Sequence, residues 1–207
     1  MKFLLKENII YEGVLSTIYN SKPYIGAVGF VKKGNFIEIK VYKNNMLHTI
    51  VKETSRFVLN ITYDPLTLVY SAFKKYFNVN DLVEREVIYR DDLVFLKNAL
   101  AYMILEKVYE EELEEFSLIK FRIHSLEVNE DSILEPLTRC YSNLVEIAIY
   151  VSKIVSVRNL TEKLFKEYCR YIDNSLTIIM KTCSEEYKQV ANKLIELIRI
   201  GGSQNNY

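Results

Sequence analysis

The chain has 207 residues, with 27 basic and 27 acidic side chains and 49% hydrophobic content. That balance suits a globular protein with one sizeable core, or a barrel with a helical appendage. A net charge of zero argues against a general nucleic-acid binder, which needs surplus Lys and Arg to displace counterions from phosphates, and equally against a binder of anionic membranes.

At the N-terminus Lys6, Glu7 and Asn8 break the first apolar run, and no small-residue cleavage site follows. No stretch approaches the roughly 18 uncharged apolar residues that span a bilayer. The expectation is a cytoplasmic protein without a membrane partner. Ile10–Tyr19 is rich in β-branched and aromatic residues and reads as a strand, followed by turn chemistry at Asn20–Pro23. Tyr24–Val31 is a second strand, and Lys32–Asn35 a tight hairpin with Gly34 free to take positive φ. In Asn35–Tyr42 the alternation is clean: Ile37, Ile39 and Val41 form an apolar face opposite Phe36, Glu38, Lys40 and Tyr42.

A polar break at Lys43, Asn44 and Asn45 precedes a short helix to about Lys52, and Arg56–Thr62 is another strand. Asp64 and Pro65 open a helix that should run to about Phe77, since Asp suits an N-cap and Pro the first turn. A loop is expected over 78–91. Two long strand-like segments follow, Ala99–Tyr109 and Phe116–Val128, although 96–109 also fits a helix. Between them, the acidic run Glu110–Glu115 is read as a solvated connection rather than a metal site.

From Asp131 the period changes from two to that of a helix. Ser132 with Glu135 forms a capping box for a helix reaching about Val157, and Asn159 with Glu162 resembles a second cap. The second helix carries Leu164, Phe165, Tyr168, Tyr171, Ile172, Leu176 and Ile179 at helical spacing. Ser184 starts a third, which Gly201 should end. The expected organisation is a β domain over 1–130, a helical domain over 131–200 and a disordered tail over 201–207.

Side-chain chemistry is sparse. Cys140, Cys169 and Cys183 are odd in number and widely spaced, and are expected as three semi-buried thiols. No metal site is expected. His124 lies in a strand and reads as structural, while His48, beside the polar break, is a minor ligand candidate. No Ser-His-Asp order, H-E-x-x-H, P-loop or G-x-G-x-x-G is present, so no residue is assigned a catalytic role. An organic cofactor that carries its own redox chemistry fits such a chain, because the protein need only hold it and exclude water.

Four segments carry a family resemblance. In order they are Glu12-Gly-Val-Leu-Ser16-Thr17, Tyr24-Ile-Gly-Ala-Val28, Tyr42-Lys-Asn-Asn-Met-Leu-His48 and Val58-Leu-Asn-Ile-Thr-Tyr-Asp-Pro65; Pro136-Leu-Thr-Arg139 with Glu146 follows. This series resembles a mainly archaeal domain-of-unknown-function family with an FMN-binding split barrel, flavin reductase-like, plus C-terminal helices. The resemblance implies an α+β fold, an FMN-binding split β-barrel followed by a small C-terminal helical bundle. It also implies a homodimer with flavin at the interface, and Ser16 and Thr17 near the flavin phosphate or ring. The backbone of Gly26, Ala27 and Val28 would line the ring. Lys43, Asn44 and Asn45 would come from the phosphate loop, with Asn60 and Arg139 as polar contacts. The chain departs from the family pattern at Ile25, which replaces a proline, and at Leu47 and Ile50, which replace polar loop residues. Two functions follow: an FMN-dependent oxidoreductase, or a non-catalytic binding or assembly protein that has lost its flavin.

Overall fold

The computed structural model describes residues 5–77, 86–130, 139–156 and 160–204, with side chains to Arg199. The chain divides into two compact units, Met1–Tyr63 with Tyr70–Glu135, and Asp64–Val69 with Pro136–Tyr207.

The first unit is a closed barrel in the order β1-β2-β3-β8-β7-β4. Its strands are β1 (Ile10–Tyr19), β2 (Lys22–Lys33), β3 (Phe36–Tyr42), β4 (Arg56–Ile61), β7 (Ala101–Glu112) and β8 (Phe116–Val128). Neighbours are antiparallel throughout. Turn chemistry sets the first two registers. Tyr19 pairs with Lys22 across Asn20 and Ser21, whose φ values of 49° and 60° match the twist of a two-residue hairpin. Lys33 pairs with Phe36 across Gly34, at φ 59°, and Asn35. Pro23 therefore lies inside β2 rather than in the turn. β7 and β8 pair along their whole length, with register shifts at Ile104/Leu105 and Lys107/Tyr109 that allow such long strands to bend.

The expected alternation in β3 is realised: Ile37, Ile39 and Val41 enter the core. They meet Leu15, Phe30, Phe57, Leu59, Met103, Leu105, Ile119 and Phe121. The helix α1 (Met46–Glu53) adds Leu47, Ile50 and Val51 to the same cluster. Each such side chain, fully buried, contributes roughly 1.5–3 kcal/mol. Leu47 and Ile50 are thus apolar because they fill the barrel core.

Two expectations about the strands and turns change, and two readings are sharpened. The helix after Asp64, α2 (Pro65–Ala72), stops short of Phe77; Asp64 does cap it, accepting from the backbone N–H of Leu66 and Thr67 at 3.0 Å each. Of the loop expected over 78–91, residues 78–85 lie outside the described ones, and Val87–Arg90 is instead a strand, β5, in a hairpin with β6 (Leu93–Leu96), which packs through β6 on β1 and β4. The strand expected over Ala99–Tyr109 is realised as Ala101–Glu112, and the helical alternative is not taken. The acidic run begins inside β7 and is partly ion-paired: Glu112 faces Lys43 and Lys52 at 3.2 and 3.6 Å, and Glu110 faces Lys107 at 3.4 Å.

The second unit is a helical assembly of α3 (Arg139–Ser156), α4 (Glu162–Thr182) and α5 (Glu185–Gln204). α3 buries Leu144, Ile147, Ala148 and Val151 as its periodicity demands. α4 is capped by Thr161, whose side chain accepts from Leu164 N–H. Its expected apolar face is only partly used: Ile172 and Ile179 are buried, whereas Leu164, Phe165 and Tyr171 stay exposed. α5 runs through Gly201 to Gln204, so that glycine does not end it. The expected caps at Ser132, Glu135 and Asn159, and Pro136–Thr138, lie outside the described residues. The thiol expectation is overturned as well. Cys140 and Cys183 form a disulfide with Cα atoms 5.2 Å apart, leaving only Cys169 free. The start of α3 and the α4–α5 connection bring them together, although 43 positions separate them in sequence.

Candidate functional site

The barrel closes through β2, but only the end of that strand pairs on both edges. Its pairing with β1 covers Lys22–Val31, but its pairing with β3 runs only from Lys33–Phe36 to Phe30–Ile39. The Lys22–Gly29 half therefore has no strand on its second edge among the described residues. Beside the start of this half-strand lies a half-open cleft of about 510 Å³, lined by Tyr19, Asn20, Lys22, Pro23, Tyr24, Ile25, Met46 and Lys74. Its wall is mostly aromatic and aliphatic, and its cations are Lys22 and Lys74.

The wall is held by tight packing. Tyr24 turns back over Gly26, so that a Cβ at Gly26 would stand 2.7 Å from the Tyr24 hydroxyl. Burial pushes the Tyr24 phenol well above its ordinary range and keeps it neutral. Lys74, in the turn after α2, lays its ammonium 3.6 Å from the centre of the Tyr24 ring and donates to the carbonyl oxygen of Ile25. Burial draws its pKa down from 10.5 to about 8. The Tyr19 hydroxyl donates to Glu53, which raises the pKa of the phenol.

The residues expected at a cofactor are spread over several environments. Ser16 and Asn60 do meet, but inside the wall: Asn60 Nδ2 donates to Ser16 Oγ at 2.8 Å and to the Val14 carbonyl at 3.0 Å. Ser16 Oγ donates to the Val94 carbonyl at 2.5 Å, and Asn60 Oδ1 accepts from Leu96 N–H at 2.8 Å. Both side chains thus fasten β6 to the barrel. Thr17 Oγ1 donates to the Arg56 carbonyl at 2.9 Å. Gly26, Ala27 and Val28 lie on the open half of β2, immediately beyond the cleft residue Ile25; Val28 enters the core and Ala27 is half-buried. Lys43 and Asn45 are next to the cleft residue Met46 in sequence, but Lys43 pairs with Glu112 and the Asn45 side chain caps α1 by accepting from Leu47 N–H. Asn44 precedes that cap. Arg139 opens α3 in the second unit, its carbonyl accepting from Ser142 and Asn143. His48 is buried against Ser117, 3.1 Å from its Oγ, and His124 lies exposed on β8.

Lys74, Tyr19 and Met46 were not anticipated at a site. Tyr19 and Met46 adjoin anticipated segments, so proximity in sequence could have indicated them. Lys74 carries no sequence signal, being one of two adjacent lysines after a helix. Among the described residues no helix is long and apolar enough to cross a membrane, and no cluster of His, Cys, Asp and Glu could hold a metal ion.

Similarity to solved structures agrees with this architecture. An FMN-bound protein from Methanosarcina mazei, assigned to the DUF447 family, superposes with a TM-score of 0.75 at 21% identity, over 93% of this chain and 96% of that one. Flavoredoxin from Methanosarcina acetivorans superposes with 0.50 at 16% identity, over 65% and 78%. A flavin reductase, HpaC, solved with NADP+, gives 0.51 at 15% identity, over 61% and 83%. At these identities the likeness establishes the fold, a flavin reductase-like split barrel followed by helices. No curated protein matches the chain. The family model described as "Protein of unknown function (DUF447) N-terminal domain" matches residues 11–130. With more than half of its length matched, and the barrel that the match covers now described, the chain belongs to the DUF447 family.

Proposed function

We propose that the protein binds FMN at the open half of β2, in the cleft that starts there. The observation that carries this reading is the stretch of β2 that no strand flanks on its second edge among the described residues, beside an aromatic-lined cleft.

FMN asks for a flat apolar wall, polar partners for the rim of its ring, and positive charge for its phosphate. Tyr19, Pro23, Tyr24, Ile25 and Met46 supply a wall. The edge of Lys22–Gly29 that has no strand partner among the described residues would offer main-chain N–H and C=O groups to a ring rim, which is the role anticipated for Gly26, Ala27 and Val28. Lys22 and Lys74 supply the charge. A cleft of this volume falls in the ordinary range for small-molecule sites. The FMN carried by the Methanosarcina mazei relative adds weight to the reading.

When bound, a flavin supplies hydride and single-electron transfer, which makes an FMN-dependent oxidoreductase the activity to look for. The chain's own residues would hold the ring, shield one side from water and balance the phosphate. The same reading includes the homodimer implied by the family resemblance; a monomer by light scattering at micromolar concentration would count against an interfacial site.

A second reading, a split barrel working without cofactor as a binding or assembly protein, is favoured by one observation. The polar atoms of Ser16 and Asn60 are spent on β6, and Lys43 is paired with Glu112. Titration of FMN with the purified protein separates the two. Binding would shift the flavin visible spectrum and alter its fluorescence saturably. FMN fluorescence unchanged at excess protein would sink the flavin reading.

A further inference from the structure

We propose that Lys74 makes the cleft an anion site, its ammonium receiving the phosphate group of a phosphorylated ligand. For flavin, this rests on the reading above and deepens it: Lys74, rather than the 43–45 loop, would be the main phosphate contact.

The argument starts from the surroundings of Lys74. In the same unit Lys32, Lys33, Lys43, Lys52 and Lys107 each face a carboxylate. Lys74 is more deeply buried than most of these, yet among the described residues no carboxylate pairs with it. Its neighbours are a ring face and one carbonyl, that of Ile25. An ammonium has three N–H donors, and the Ile25 carbonyl takes one. A cation held away from water without a counter-ion is costly, and it is the arrangement expected where an incoming anion completes the pair. The cleft beside it is large enough to admit one.

The ionisable groups of the cleft do not compete for that role. Tyr24 is held neutral by burial, Tyr19 is engaged with Glu53, and Lys22 on the rim adds charge of the same sign. A phosphomonoester carries about 1.5 to 2 negative charges near neutral pH, and three acceptor oxygens. Seated by Lys74, it would supply both the missing charge and acceptors for the remaining donors. Because the free ammonium loses its proton near pH 8, the advantage of a phosphate should fade as pH rises through that value.

The test compares FMN with riboflavin, which lacks the phosphate, by fluorescence titration at about pH 6.5 and about pH 9. Wild type, Lys74→Met and Lys74→Arg are measured, each first confirmed as folded by its melting curve. The expected result is roughly tenfold tighter binding of FMN than riboflavin by wild type at the lower pH. That preference should shrink at the higher pH, vanish in Lys74→Met with riboflavin affinity retained, and persist in Lys74→Arg at both pH values. An unchanged FMN-to-riboflavin ratio in Lys74→Met overturns the proposal. If wild type binds neither flavin, the flavin reading fails, and Lys74 is then judged with inorganic phosphate alone. A saturable rise in wild-type melting temperature that Lys74→Met lacks supports the anion site, and equal responses of the two proteins overturn it.

Discussion

Asn60 Nδ2 lies 2.8 Å from Ser16 Oγ in the barrel wall, and neither side chain is exposed. Two polar residues on adjacent strands thus form the buried fastening of the β5–β6 hairpin. Asn60→Ala would strand the Leu96 N–H and remove the donor to Ser16 Oγ at once. It should cost about 2–4 kcal/mol, since each unsatisfied buried group costs roughly 1–3. Urea unfolding measures this. Ser16→Ala should cost less, about 1–2 kcal/mol, because Asn60 keeps its bonds to Val14 and Leu96. If the two polar side chains served only a ligand, both substitutions would leave the apo protein as stable as before.

Gly26→Ala tests the cleft wall. The added methyl would meet the Tyr24 hydroxyl and displace a ring that is 7% exposed. The expected cost is about 1–3 kcal/mol in stability, the usual penalty of overpacking. FMN affinity should fall alongside it by roughly tenfold. Wild-type affinity in a folded Gly26→Ala would place the flavin away from Tyr24.

Lys74 also predicts a pH dependence of stability in the apo protein. Its folded pKa, about 8, lies below its unfolded value near 10.5. Between these values the unfolded chain binds more protons, so the contribution of Lys74 to stability rises with pH across that window. Below pH 8 its charge is a standing cost, on the order of 3 kcal/mol. The stability of wild type relative to Lys74→Met, from paired urea curves, should therefore improve between about pH 7.5 and about pH 10. A pH-independent difference would mean that the ammonium is better solvated than its neighbours indicate.

The disulfide gives a prediction for the helical unit. Cys140 and Cys183 close a loop spanning 43 positions, which in a chain-entropy description stabilises by about 4 kcal/mol. Cys140→Ser with Cys183→Ser, or reduction by dithiothreitol, should lower the thermal midpoint of the helical signal at 222 nm (the far-ultraviolet helix band). Mass spectrometry after alkylation under denaturing conditions should find one free thiol before reduction and three after. Three alkylated thiols without reductant would show that the bond does not form.

Much of this protein was determined by local sequence. Strict alternation in Phe36–Tyr42 set which side of β3 enters the core, and Asn20, Ser21 and Gly34 could adopt the positive φ values that fix two hairpin registers. β8 follows the boundaries its composition suggests, and Asp64 caps α2 as its chemistry requires. These are interactions between residues a few positions apart, so a linear reading finds them. Order among the four N-terminal segments also carried the family likeness, although each segment alone is short.

Only the tertiary structure decided what those residues do. The family resemblance implies Ser16 and Asn60 as ligand contacts; folding supplies them partners from β6, a four-residue strand too short to announce itself by pattern. Leu47 and Ile50 read as lost phosphate contacts, yet α1 turns them into the barrel. The Cys140–Cys183 bond joins positions far apart in sequence, and Lys74 reaches Ile25 across a separation of 49 residues. Burial is a property of surroundings assembled from distant segments, and with the Tyr24 ring and the Ile25 carbonyl it is what distinguishes Lys74 from its exposed neighbour Lys75.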